Sequence, residues 1–279
     1  MKRAVIYGAT DTGKRVYKMT KDKYRILSFV DENLLMVGNT IEGIEIKDVG
    51  SLKDIKYDYI IVAVLSRYKT VTESLISQGI DERKIITKYV DLPNRAREAY
   101  VENLSIYLKE HCLDGAIAEL GVYQGEFSKV IGEKFKNNRF YLFDTFEGFS
   151  EKDVTYETEN NYSPAKDGYF SNTSVDSVLD KIPNDSRCVV KKGYFPDTAN
   201  DVNDEFIFVN LDADLYKPTI EGLHFFWNKM KPGGVILIHD YFSDVYTGVN
   251  KAVNEFCIQE KIYATPIGDT LSVALIKNI

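Results

Sequence analysis

Four ionisable residues fall directly after two apolar runs: Asp212 and Asp214 follow FIFVNL, and His239 and Asp240 follow VILI. FIFVNL is rich in β-branched and aromatic residues, which suits a strand buried on both faces of a parallel sheet, and VILI begins a second strand. Between them, Pro218 falls where a first helical turn tolerates it. Leu223, Phe226, Trp227 and Met230 then recur at helical spacing, and Lys231-Pro232-Gly233-Gly234 ends the helix. A short β-α-β connection makes the two strands parallel neighbours, so all four residues emerge at one carboxyl edge, where open α/β sheets hold their ligands. Several acids around one imidazole repel one another unless a cation sits among them. A divalent ion is the simplest such cation, and hard oxygens with one nitrogen suit magnesium, manganese or iron. The competing use of these residues is a solvated polar rim.

A second set lies upstream. In AIAELGVYQGEFSKVI, a strand over 117–120 leads into Glu119-x-Gly121-x-x-x-Gly125, and Phe127, Val130 and Ile131 begin a helix. Glycines allow the backbone to approach a ligand closely, and the acid can accept a hydrogen bond or favour a cationic group. The next strand, RFYLFDTF, ends on Asp144, one β-α-β step later, where a carboxylate can hold two ribose hydroxyls. With an acid in that place but no wide phosphate cradle, the pattern fits S-adenosylmethionine better than a dinucleotide.

The elements that position these groups come in two α/β series. Near the N-terminus, RAVIYG, the turn Gly8–Gly13, a helix through Val16, Tyr17 and Met19, and RILSFVDEN ending on Asp31 and Glu32 give the order of a dinucleotide-binding half. The middle glycine of G-x-G-x-x-G is absent, and Arg15 stands where a Walker A loop needs Ser or Thr. IEGIEI, YDYIIVAV, a helix over 70–78 and IDERKIIT complete this unit. DLPNRAREAY carries a proline and charges without a strand pattern, which places a boundary near Asp91. Val101, Leu104, Ile106, Tyr107 and Leu108 then mark a helix ending near His111. Residues 150–172 form a polar, tyrosine-bearing insertion of a length common in lids and mobile loops. At the C-terminal end, KIYATPIGDTLSVALIK reads as two strands across a Gly268-Asp269 turn.

The 279 residues are 44% hydrophobic and 28% charged, the balance of an ordinary soluble protein. The net charge of -7, with no basic run interleaved with aromatics, argues against a nucleic-acid partner. Cys112, Cys188 and Cys257 share no metal or redox spacing and suit a reducing cytosol. No apolar run approaches a membrane span and MKRAVIYG enters a strand directly, so the expected location is cytoplasmic. His111 and His224 lack partners in the sequence pattern and read as surface or core residues.

Taken together, AELGVYQGEFSK, LFDTFEGF, KKGYFPDT, FVNLDADLYKPT, KPGGVILIHDY and GVNKAVNEF resemble the motif series of the macrocin O-methyltransferase (TylF-type) family over most of residues 100–279. The resemblance implies an S-adenosylmethionine-dependent, metal-assisted enzyme acting on sugar hydroxyls. By position it implies that Glu119, Gly121 and Gly125 line the methionine end of the cofactor and that Asp144 binds its ribose. Phe195 and Asp197 lie near the adenosine or shape its pocket; a bare turn around Pro196 is the competing use. Asp212 is both metal ligand and candidate base. Where relatives carry two consecutive acids, this chain has His239-Asp240. Asp240 stays a ligand, and His239 brings an imidazole that suits manganese, iron or zinc better than magnesium and is a second candidate base. Residues 1–88 resemble, in order and in phrases such as SFVDEN, the Rossmann-like domains attached to bacterial surface-polysaccharide enzymes, some of which bind sugar nucleotides.

The resulting expectation is an α/β protein of two Rossmann-like domains: residues 1–90 as a candidate sugar-nucleotide domain, and 91–279 as a class I methyltransferase sheet closed by an antiparallel hairpin. Its ligands are S-adenosylmethionine, magnesium or manganese, and a sugar or nucleotide-sugar acceptor; homo-oligomers are compatible with this reading. Two rivals stand beside it: a non-catalytic sugar-nucleotide-binding scaffold, and a methyltransferase for a catechol-like phenol.

Overall fold

Hydrophobic strands alternate with amphipathic helices along the whole chain, and the computed structural model, which describes residues 1–65 and 67–278, gathers them into two compact units, Met1–Arg95 and Ala96–Ile279. In the first, β1 (Lys2–Tyr7), α1 (Asp11–Thr20), β2 (Tyr24–Asp31), β3 (Thr40–Ile41), β4 (Ile44–Asp48), β5 (Tyr59–Val62), α2 (Tyr68–Ser77) and β6 (Ile85–Ile86) form a sheet of order β3-β4-β2-β1-β5-β6. β1 pairs in parallel with β2 and β5, and its Ala4, Val5 and Ile6 are fully buried. IEGIEI is a two-stranded hairpin rather than one strand. Its Glu42-Gly43 turn has φ of 51° and 78°, the left-handed pair that matches strand twist.

The Gly8–Gly13 turn is packed against its own sheet. A Cβ on Gly8 would lie 2.6 Å from the Ala63 carbonyl oxygen, and one on Gly13 would lie 2.2 Å from the Gly8 carbonyl. Asp31 accepts the Ala9 N–H at 2.7 Å, while Glu32 accepts the Tyr7 hydroxyl at 2.8 Å and Arg67 at 2.7 Å. The acids after β2 therefore brace the turn and the strand beside it.

DLPNRAREAY, where a boundary is expected near Asp91, is helical. It forms the first half of α3 (Lys88–Glu110), one continuous helix through Pro93, and the division between the two units falls inside it. Pro93 sits close enough to the N-terminal end that its missing N–H costs a single backbone bond, and Asp91 pairs with Arg95 one turn on.

The second unit contains β7 (Ala116–Leu120), α4 (Glu126–Lys134), β8 (Phe140–Asp144), α5 (Glu151–Glu159), α6 (Val175–Leu179), β9 (Cys188–Lys192), β10 (Phe206–Leu211), α7 (Tyr216–Trp227), β11 (Met230–Ile238), α8 (Thr247–Glu260), β12 (Thr265–Pro266) and β13 (Val273–Ile276). The sheet order is β12-β13-β11-β10-β7-β8-β9, with β13 antiparallel to β11 and the closing β12–β13 pair antiparallel. Lys231–Gly234 belongs to β11, since the strand already starts at Met230 and the register slips between Phe206 and Phe208 on its partner.

Alternate side chains of β7 enter opposite cores: Ala116, Ala118 and Leu120 one, Ile117 the other. On the first face Phe226 packs edge-on against Phe143 and Phe206 and stacks on Phe195, with centroids 5.2 to 5.9 Å apart. Phe226→Ala is expected to lower unfolding free energy by about 3–5 kcal/mol. Urea denaturation measures it, and a loss under about 1 kcal/mol would show that the cluster collapses around the gap.

Candidate active site at the carboxyl edge

The ends of β7, β10 and β11 are tied level. Asp212 N donates to Leu120 O at 2.8 Å and His239 N donates to Leu211 O at 2.9 Å. The loop after β7 also touches the next strand's acid: a Cβ on Gly121, whose φ is +86°, would lie 2.0 Å from the Asp212 carbonyl oxygen. Gly125 (φ +76°) precedes α4 and has Val178 in the corresponding space. Both glycines thus make room for the protein's own chain, and the close approach expected toward a ligand is first an approach to Asp212 and Val178.

Glu119 points into the interior. It is 1% exposed, accepts Asn210 Nδ2 at 2.9 Å, and accepts a short hydrogen bond from the Ser128 hydroxyl. Burial pushes its carboxyl up to about 8, the two hydrogen bonds and Arg97 offsetting only part of that. A carboxyl raised from an ordinary 4.5 favours the folded state below that value and loses the advantage as pH climbs through 8. Glu119→Gln copies the protonated form, so wild type should lose stability relative to this variant between pH 6 and about 8.5, by roughly 1 kcal/mol or more in urea midpoints. Parallel pH profiles would remove the raised carboxyl from this account.

Asp144, at the end of β8, accepts three backbone N–H groups: Val122 at 2.7 Å and Tyr123 at 2.9 Å on Oδ2, and Phe146 at 2.7 Å on Oδ1. Beside it opens a cleft of about 610 Å³, lined by Thr145, Phe149, Ser150, Lys192, Tyr194 and neighbouring glycines. Phe195 is placed in the core, 5% exposed between Phe143 and Phe226, where it can shape the cleft from behind but not face it. Asp197 is exposed and opens a short turn over Asp197–Ala199.

Residues 150–172 are built in rather than loose. Asp153 on α5 accepts the Tyr194 hydroxyl at 2.7 Å, Glu157 accepts the Tyr216 N–H at 2.7 Å, and the Tyr162 carbonyl accepts Thr247 N and Oγ1. Further along, Asn172 accepts the Tyr123 hydroxyl and Gln124 Nε2, and Thr173 bonds the Tyr123 carbonyl. The segment spans the loops that follow β7, β9 and β10 and reaches the start of α8. It was unreadable as structure because its anchors are polar groups without periodicity.

The acidic cluster assembles as the strand ends require. Ligand atoms of Asp212, His239 and Asp240 lie within 4.8 Å of one another. His239 Nδ1 is 2.7 Å from Asp240 Oδ2 and 3.1 Å from Asp212 Oδ1. Burial and Arg97 oppose charge on the imidazole, but the two flanking carboxyls outweigh them and raise it to about 10. Burial would raise Asp212 too, yet His239 and Arg97 hold it well below the usual range. Asp214 is pushed well above that range by burial and by the neighbouring Asp240 and Asp212 carboxyls. Asp214 and Asp240 both hold left-handed backbone, with φ of 59° and 57°, a conformation that persists where surrounding packing fixes it and that clusters at functional sites.

Arg97 and Asn210 were missed from sequence. Arg97 Nη2 donates to Asn210 Oδ1 at 2.9 Å and to Asp212 Oδ2 at 3.0 Å. A charged residue on the buried stripe Arg97, Val101, Leu108 is the signal that was present, hidden because its segment, with Pro93 and several charges, reads as a domain boundary. His111 is exposed beside Tyr107, and His224 packs on Phe256.

Comparison with known proteins follows this geometry. Residues 1–86 match a family profile described as C2185-like, N-terminal, and residues 64–273 match one described as Macrocin-O-methyltransferase (TylF). No curated protein sequence matches. Among solved structures, the O-methyltransferase NovP is 17% identical with a TM-score of 0.53, covering 66% of this chain and 80% of its own. The calicheamicin methyltransferase CalS11 is 19% identical with a TM-score of 0.56, covering 75% of this chain and 92% of its own. These likenesses establish the class I methyltransferase fold of the second unit, and the profile match spans well over half of the chain. The chain therefore belongs to the macrocin O-methyltransferase (TylF) family and is an S-adenosylmethionine-dependent O-methyltransferase.

Proposed function

We propose that the enzyme methylates a hydroxyl of a sugar or sugar-bearing metabolite, with Asp212 as the proton acceptor. The observation that supports this reading is the abutment of Gly121 on the Asp212 backbone carbonyl, which sets the loop after β7 beside the residue whose carboxylate is held ionised by His239 and Arg97. A methyl donor held by Gly121, Gly125 and Asp144, with its base in the cleft beside Thr145 and Tyr194, would present its sulfonium to that carboxylate. In-line displacement then depends chiefly on holding oxygen, methyl and sulfur in one line. Asp212 accepts the hydroxyl proton through the oxygen that faces His239. His239, already protonated between Asp212 and Asp240, orients both carboxyls and does not serve as the base.

The same donors fit a divalent ion. Two carboxyl oxygens and a nitrogen converge within 4.8 Å, so Asp212, His239 and Asp240 would hold it once the imidazole gave up its proton. Such an ion lowers the pKa of a sugar hydroxyl as a Lewis acid. An imidazole in the set favours manganese over magnesium.

A sugar acceptor is supported by the motif series shared with a family whose members methylate sugar hydroxyls and by the first unit's resemblance to domains of polysaccharide enzymes. We assign residues 1–90 as a sugar-nucleotide domain and 91–279 as the catalytic one, acting in the cytoplasm on a polysaccharide precursor. Among the described residues no helix is long and apolar enough to cross a membrane. Incubation of the full chain with methyl-labelled S-adenosylmethionine, Mn²⁺ and a panel of nucleotide sugars tests this. Label should enter a nucleotide sugar; transfer confined to catechols would replace the sugar reading with the phenol one.

A further inference from the structure

Crowded acids need a compensating cation, and the fold supplies one of its own. Arg97 is 8% exposed, and its guanidinium carbon lies 3.8 Å from the centroid of the Phe127 ring. One nitrogen serves both Asn210 Oδ1 and Asp212 Oδ2. Asn210 is itself fixed, because its amide nitrogen is given to Glu119. Asp212 therefore has one oxygen committed to Arg97, and the other faces His239. An ion bound by Asp212, His239 and Asp240 finds a single free oxygen on Asp212 and a fixed positive charge just behind it.

We propose that Arg97 is a positioning residue that competes with the divalent ion for Asp212, holding the carboxylate in one orientation and keeping the ion weakly bound and exchangeable. This rests on the metal reading above. Removing the guanidinium takes away a like charge and frees the second Asp212 oxygen. It also takes from the half-buried Asp212 carboxylate one of its two cationic neighbours, a change that favours any available cation. Lysine keeps the charge but has neither the plane that covers Phe127 nor the fork geometry of a guanidinium.

The test is Mn²⁺ titration by calorimetry on the metal-free full chain, for wild type, Arg97→Met, Arg97→Gln and Arg97→Lys, with near-ultraviolet circular dichroism to establish folding. Both neutral variants should bind Mn²⁺ at least about tenfold tighter than wild type, and Mn²⁺ should raise their Tm more, while Arg97→Lys stays within about threefold of wild type. A merely structural arginine would loosen the donors and weaken binding in every variant, which overturns the proposal. If Arg97→Met does not fold, Arg97→Gln decides the matter. Wild-type binding with no tightening in folded neutral variants defeats this proposal and leaves the metal reading standing. Absence of Mn²⁺ binding in wild type and neutral variants alike defeats both.

Discussion

Asp212→Asn should slow methyl transfer by about 10³-fold while leaving S-adenosylmethionine affinity within about threefold of wild type. The substitution keeps the side-chain shape but not its chemistry. In the native site both oxygens face cationic groups: Oδ2 accepts from Arg97, and Oδ1 lies 3.1 Å from His239 Nδ1, whose hydrogen bond goes to Asp240. Whichever way the asparagine amide turns, its NH₂ meets one of those donors, and the site loses both its proton acceptor and the charge that holds His239 protonated. General-base help is typically worth about 10² to 10⁴ in rate, and loss of an ion ligand adds to it. Cofactor affinity is spared because the loop contact to position 212 is made through the backbone, which the substitution leaves in place. Single-turnover transfer to a nucleotide sugar that wild type methylates, with cofactor binding measured separately, checks both parts. A rate within tenfold of wild type would move the base elsewhere; equal losses of rate and affinity would indicate a collapsed site.

What could be read from the sequence was whatever periodicity and strand ends encode. FIFVNL and VILI announce buried strands, so the acids and the imidazole that follow them had to share an edge, and Asp212, His239 and Asp240 do converge. Partner choice was not legible. Glu119 looked available to a ligand because it ends a strand next to glycines, but its side chain alternates inward and finds Ser128 and Asn210. Phe195 sits in a polar motif, yet its ring completes an aromatic cluster drawn from β8 and α7, strands and helices far apart in sequence. Arg97 was hidden by Pro93 and by the charges around it. The helix nevertheless runs continuously through Pro93, so those breakers said less than they suggested. In each case the deciding contact is made by residues distant in the chain, and composition carries no record of it.

Asp144→Ala is expected to weaken S-adenosylmethionine binding by at least about 10²-fold, since it removes a carboxylate whose hydrogen bonds are each worth about 1.5–3 kcal/mol. The geometry makes this carboxylate serve two ends at once. A carboxylate offers about four lone-pair positions. Three of those here accept N–H groups from Val122, Tyr123 and Phe146, so the loop after β7 and the turn after β8 are both pinned to it. The remaining position faces a ribose hydroxyl if the cofactor lies in the adjoining cleft. Truncation therefore releases the loop carrying Tyr123 and, under the proposed ribose contact, removes a direct ligand as well. Asp144→Asn discriminates between these roles. Its NH₂ must oppose either the Phe146 N–H or the pair from Val122 and Tyr123, so it should be nearly as damaging as alanine, although an amide oxygen could still accept a ribose hydroxyl. If the asparagine variant binds within about threefold of wild type by calorimetric titration, ribose recognition is separate from loop bracing and Asp144 acts by direct contact alone. If alanine and asparagine fall together, the brace dominates, and the acid at the end of β8 controls the cofactor chiefly through the shape of the loop it holds.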